Sequence, residues 1–140
     1  MKTKLFNNFF FLTILGVTVI ISGCTSDCSE EICIITPVNN AEVEWKPLIK
    51  GKVTTDNVSN LLVLIKPLAV NECWVQPKPT RLNNGDWIVQ VYAGNPDDKG
   101  KSFAIQAIGN PAKPLPVEQD IGSCDVEAEF KSDTIIVKRK

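Results

Sequence analysis

The stretch Asn84-Gly85-Asp86-Trp87-Ile88-Val89-Gln90-Val91-Tyr92-Ala93-Gly94 decides how the chain is read. It is a turn feeding a strand that ends at a second glycine. Alternation puts Trp87, Val89 and Val91 on one face and Ile88, Gln90 and Tyr92 on the other, and the first face is the core candidate. Upstream, Leu61 to Ile65 is an unbroken apolar run closed by Lys66-Pro67. Its short length and β-branched Val63 and Ile65 favour a central strand over a buried helix. Asn71 to Gln76 reads as the next strand, with Cys73 and Val75 on one face, Trp74 and Gln76 on the other, and Pro77 and Pro79 ending it. Downstream, Ser102 to Ile108 places Phe103, Ile105 and Ala107 together.

The outer parts follow the same pattern. Glu31 to Ile35 is a first strand, broken by Thr36-Pro37-Val38-Asn39-Asn40. Val43 to Val53 is extended, with Pro47 arguing for an edge or a bulge. Gly109 to Gly122 contains Pro111, Pro114 and Pro116 and reads as a loop crossing one end of the fold. Cys124 to Lys131 alternates in part, and Thr134 to Val137 is the closing strand. Lys138-Arg139-Lys140 reads as a solvated basic tail or cover for an edge. Seven to eight short strands with turns between them predict an all-β antiparallel sandwich.

The N-terminus is a separate matter. Lys2 and Lys4 precede an apolar run from Phe9 to Ile21, which has the length of a signal-peptide core and is short for a spanning helix. Ile21-Ser22-Gly23-Cys24 then resembles the lipobox of bacterial lipoproteins. That resemblance implies a signal peptide over 1–23, a helix in its precursor form, and Cys24 as the lipidated first residue of the mature chain. Its partner is membrane lipid, held by several acyl chains. Residues 24–31 would be a tether. Thr25, where aspartate is the familiar retention signal, implies outer-membrane delivery in a diderm envelope.

Residues 32–140 are one domain by size. The chain carries 15 basic and 16 acidic residues, and losing Lys2 and Lys4 makes the mature form more acidic. Nothing in this balance offers nucleic acid a basic field. Besides Cys24, the cysteines are Cys28, Cys33, Cys73 and Cys124, an even set that predicts two disulfides in an oxidising compartment. Three pairings are open. If both early cysteines pair distantly, the first strand is stapled to the rest of the domain.

The succession Ile35-Thr36-Pro37, Gly51-Lys52-Val53, Leu62 to Pro67, Trp74-Val75-Gln76, Gly85-Asp86-Trp87 and Gly100-Lys101-Ser102-Phe103-Ala104-Ile105 resembles immunoglobulin-like modules of bacterial surface and secreted proteins, over roughly 32–109. The resemblance implies a rigid module for display or binding, with Trp87 in the core.

Chemistry is sparse. The chain has no histidine, which removes histidine-based acid–base catalysis and the triads built on it. A zinc site lacks a close cysteine pair. Asp97-Asp98, in a loop bounded by Gly94 and Gly100, is a calcium candidate set against a solvated turn, and Glu42 and Glu44 would share a strand face. The aromatics are more informative. Trp74 either packs under the proline-rich C-terminal segment or faces outward with Gln76, near Lys66 and Lys78, where it would suit a sugar or a protein. Tyr92 and Trp45 are the other candidates for that surface. The expectation is a non-enzymatic envelope lipoprotein, without cofactor or metal, that binds or adheres through its β domain. A structural or inhibitory component engaging another envelope protein and a carbohydrate-active accessory protein are the alternatives.

Overall fold

The computed structural model describes residues 28–140. The expected signal peptide, its lipidation candidate Cys24 and residues 25–27 of the expected tether lie outside the described residues. Ten strands occur among the described residues: β1 (Ile32–Thr36), β2 (Ala41–Val43), β3 (Leu48–Val53), β4 (Leu61–Pro67), β5 (Trp74–Val75), β6 (Thr80–Arg81), β7 (Asp86–Gln90), β8 (Ser102–Pro111), β9 (Ala128–Lys131) and β10 (Ile135–Arg139). One sheet runs β1-β3-β7-β6. The other runs β2-β10-β8-β4-β5, with β9 also beside β8. No helix among the described residues is long and apolar enough to cross a membrane.

The two sheets face each other as a sandwich. Ile32, Ile49, Val53, Trp87 and Val89 from the first meet Val63, Ile65, Phe103, Ile105 and Val137 from the second. Trp87 is fully buried, as its alternation predicts. Asn84 and Gly85, both at positive φ, make the turn from β6 into β7. An immunoglobulin sandwich holds strands A, B, E and D in one sheet and C, F and G in the other. Reading β1, β3, β7 and β6 as the first set, and β4, β8 and β10 as the second, gives the same order, consistent with the resemblance. Two features differ from antibody domains: β3 and β8 contain no cysteine, and the buried tryptophan lies on β7 rather than on the strand corresponding to C.

Several expectations need correction. There are ten described strands, not seven to eight: the segment Val43 to Val53 divides into the end of β2 and all of β3, and Thr80–Arg81 adds the short β6. The sandwich is not wholly antiparallel: β2 runs parallel to β10. After Thr36 the chain crosses to the other sheet, where Asn39 Oδ1 accepts the Ile136 N–H at 2.8 Å and Asn40 N–H donates to Ile136 O at 2.7 Å. Pro47 does not mark an edge. It precedes β3, an inner strand, and its carbonyl accepts the Val91 N–H at 3.1 Å. Arg139 is not part of a solvated tail but a buried residue of β10.

The largest correction concerns residues 111–127. They do not cross an end of the sandwich but cover the outer face of the second sheet. Leu62, Leu64, Cys73, Val75 and Ile108 point away from the main core and pack against Leu115, Val117, Ile121, Cys124 and Val126. This explains why Leu61 to Ile65 is apolar throughout: both faces of β4 are covered. The disulfide Cys73–Cys124 pins the cover to the sheet. The other bridge, Cys28–Cys33, is local, so the first strand is not stapled across the domain.

A bulge sits between β9 and β10. Ile135 pairs with Ile105 and Lys131 with Ile108, so three residues of one strand oppose two of the other. Buried Ser132 closes the gap: its Oγ accepts the Ala107 N–H at 3.0 Å and donates to Asp133 O at 2.8 Å.

Candidate functional site

β7 ends at Gln90, but the chain stays extended to Ala93, whose N–H donates to Trp45 O at 2.9 Å. This holds Trp45 and Tyr92 side by side. Their rings meet edge to face with centroids 6.4 Å apart, and Trp45 Nε1–H donates to Gly94 O at 3.0 Å. The Lys46 ammonium lies 4.4 Å from the Trp45 ring centre and 5.2 Å from that of Tyr92.

Trp74 comes from the opposite sheet. It pairs with Ile65 on β4 and stands 38% exposed. Its Nε1–H donates to Glu72 Oε2 at 3.0 Å, which fixes the indole and the carboxylate together. On its other side the covering segment adds to β5 almost as a further strand. Val75 N–H donates to Gln119 O at 3.0 Å, Glu118 N–H to Val75 O at 2.7 Å, and Ile121 N–H to Cys73 O at 2.8 Å. Asp120 Oδ1 accepts the N–H groups of Cys73 and Gly122 at 2.9 and 2.8 Å. These two bonds hold its carboxyl below the ordinary aspartate value.

The four residues singled out as a binding surface, Trp45, Trp74, Gln76 and Tyr92, line one cleft of about 330 Å³. Gln76 does not serve as the surface contact expected of it. It is only 4% exposed. Its Oε1 accepts the Tyr92 N–H at 2.8 Å, beyond the end of β7. Gln76 is thus a brace between the sheets, forming the floor under the aromatics, and strand alternation stops at Val75. Tyr92 is 42% exposed. Lys66 and Lys78 do not line the cleft. Its charged walls are Glu72, Asp98 and Glu118.

Asp98 is engaged within its own loop. It pairs with the Lys101 ammonium, and its Oδ2 accepts the Asn95 N–H at 2.7 Å. The Lys101 hydrogen bond, then the Asn95 amide, hold its carboxyl below the ordinary value. Buried Arg139 backs the loop, donating to Pro96 O at 3.2 Å. Asp98 therefore serves the loop, and Asp97 is exposed beside it. Among the described residues no cluster of three or more acidic or cysteine side chains is placed to hold a metal ion. Glu44 pairs with Lys140 at 3.3 Å.

Glu72, Glu118, Asn95 and Phe103 were not among the residues picked from the sequence. Glu72 is adjacent to a picked residue, but Glu118 reaches the cleft only because the covering segment docks beside β5. No local pattern marks it.

No family model, no curated protein and no solved structure matches the chain.

Proposed function

We propose that this chain is an exported, lipid-anchored binding module whose ligand occupies the cleft between Trp45, Tyr92 and Trp74 and is held there without being transformed. The observation that carries the reading is convergence. Three aromatic side chains from distant parts of the sequence, two of them substantially exposed, share one concave site with a few fixed polar groups, the arrangement expected of a ligand pocket. The two disulfides support an oxidising compartment, in keeping with the signal peptide and the Cys24 anchor. The carboxylates lining the site disfavour phosphate-rich partners and so speak against nucleic acid.

A second reading, a component that engages another envelope protein, is favoured by the exposed apolar turn joining Pro67 to Glu72. Leu68 is 51% and Val70 46% exposed there, directly beside the cleft. The carbohydrate-active accessory reading would use the same aromatics as stacking platforms.

The test is capture by the mature chain on a glycan array and from an envelope-protein extract, with and without the paired substitutions Trp74→Ala and Tyr92→Ala. Loss of capture by the double variant is the expected result. Capture that survives it would put the ligand elsewhere. Labelling cells with a palmitate analogue checks the anchor: the parent chain takes the label and Cys24→Ser does not, and an unlabelled parent would remove the anchor from the proposal.

A further inference from the structure

We infer that the cleft is shaped for a basic side chain, lysine or arginine, presented by a partner protein; this rests on the binding reading above. Among the described residues, every charged residue lining the cleft is acidic, and no lysine or arginine lines it. Asp98 is neutralised by Lys101, which leaves Glu72 and Glu118 to face a ligand. Glu72 is positioned for this: the Trp74 indole holds one of its oxygens, so the other is available at the edge of an aromatic ring. A cation on that free oxygen would gain a charge-assisted hydrogen bond to a carboxylate that the indole N–H already holds in place.

The faces of Trp45 and Tyr92 outside the cleft already carry a cation, which leaves a ligand's charge to the glutamates. Lys46 lays its ammonium against both Trp45 and Tyr92 from outside the cleft. Size narrows the ligand further. A volume of about 330 Å³ lies at the small end of ligand pockets and accommodates one side chain better than a run of sugar rings. The apolar stem of a lysine or arginine would lie along Pro67, Phe103 and Ile65, with its charge toward the two glutamates. Leu68 and Val70 beside the opening offer apolar contact to the flanking residues of a peptide, which a sugar's hydroxyls would not use. This favours a protein source for the cation over an amino sugar.

The full lipidated chain in detergent micelles is titrated with four probes: acetyl-Leu-Lys-Leu-amide, acetyl-Leu-Arg-Leu-amide, the same peptide with norleucine at its centre, and a neutral chitin tetrasaccharide. The indole N–H signals of Trp45 and Trp74 report the cleft, and the signal of buried Trp87 reports an intact core. The basic peptides should shift the cleft indoles and bind about tenfold more tightly than the norleucine peptide. Salt should erode that margin. The double substitution Glu72→Gln and Glu118→Gln should bring the basic peptides to the norleucine level while leaving the Trp87 signal in place. Equal binding of norleucine and lysine peptides would overturn the cationic assignment and leave the cleft as a binding site. Binding of the tetrasaccharide alone would do the same and make the ligand a glycan. Cleft indoles that respond to none of the four would remove both the inference and the reading it rests on.

Discussion

Gly51 and Trp87 show how much a single position decides. They are direct partners across β3 and β7. A Cβ on Gly51 would run into Cζ2 and Cε2 of the Trp87 indole and into the backbone oxygen of Cys33. The tryptophan can lie flat in the core because its partner has no side chain. Gly51→Ala is expected to lower stability by about 1–3 kcal/mol, as overpacking does, read as an earlier urea midpoint. An unchanged midpoint would show that the indole has room to move. Asp120 makes a prediction about pH. Its folded-state pKa lies below 3.8, so its contribution is present at pH values above 3.8 and is lost as the pH falls through the folded value. Asp120→Asn keeps an oxygen acceptor and loses the charge. It should be less stable than the parent at neutral pH and lose less on going from pH 7 to pH 3. Parallel losses in the two proteins would rule Asp120 out as the source. Trp87 is legible from sequence because alternation over β7 places it with Val89 and Val91. Gln76 is not, because its burial is set by the amide of Tyr92, which no strand neighbour satisfies.

At the scale of elements, the covering segment 111–127 is what distinguishes this sandwich from a bare one. It buries the second face of β4, completes the edge beyond β5 and delivers Glu118 to the cleft. The central strands are legible in the sequence from apolar runs and turns. The cover is not, because Leu115, Val117, Ile121 and Val126 are scattered among prolines and polar residues without strand or helix period. Only the apolar character of both faces of β4 hints that something must lie outside it. The bulge at Ser132 is equally silent, since a one-residue offset is a property of the pairing and not of either strand alone. The cover depends on its disulfide. Cys73 and Cys124 are 51 residues apart, and closing a loop of that size restricts the unfolded chain by about 4 kcal/mol, against about 2 for the five-residue separation of Cys28 and Cys33. Replacing Cys73 and Cys124 together by serine should therefore destabilise the domain more than replacing the early pair. It should also raise binding of a hydrophobic dye, because Leu62 and Leu64 lose their cover, and weaken any ligand that uses Glu118. Equal effects of the two double substitutions in the urea midpoint would show that the segment docks by its apolar contacts and hydrogen bonds without help from the bridge.

For the whole molecule, the ends of the strands decide where the cleft points. The methyl of Ile32, at the start of β1, reaches over Gly109, and Gly109 is the partner of Leu61 at the start of β4. The N-terminus therefore enters at that end. The cleft uses Pro67 and Phe103, which pair at the other end of β4, together with Trp45 and Tyr92 beyond the last residues of β7. Seven residues of β4 separate the two ends by about 20 Å. Cys24 precedes Cys28 by four residues, so the anchoring proposed above would hold lipid within about 14 Å of the N-terminal end. The Cys28–Cys33 bridge ties the tether to β1 and denies it a longer reach. An anchored domain thus stands with the Asn84–Gly85 turn, which packs beside Val53, toward the bilayer and with the cleft toward the space beyond it. In that orientation the proposed site would serve a ligand arriving from outside the membrane rather than a headgroup of the membrane that holds it. With the lipidated chain in vesicles that carry a headgroup energy acceptor, a fluorophore at position 84 should transfer energy more efficiently than one at position 68, in the turn beside the cleft. Equal transfer would mean that the domain lies on its side, and the reverse ranking would turn the cleft toward the lipid.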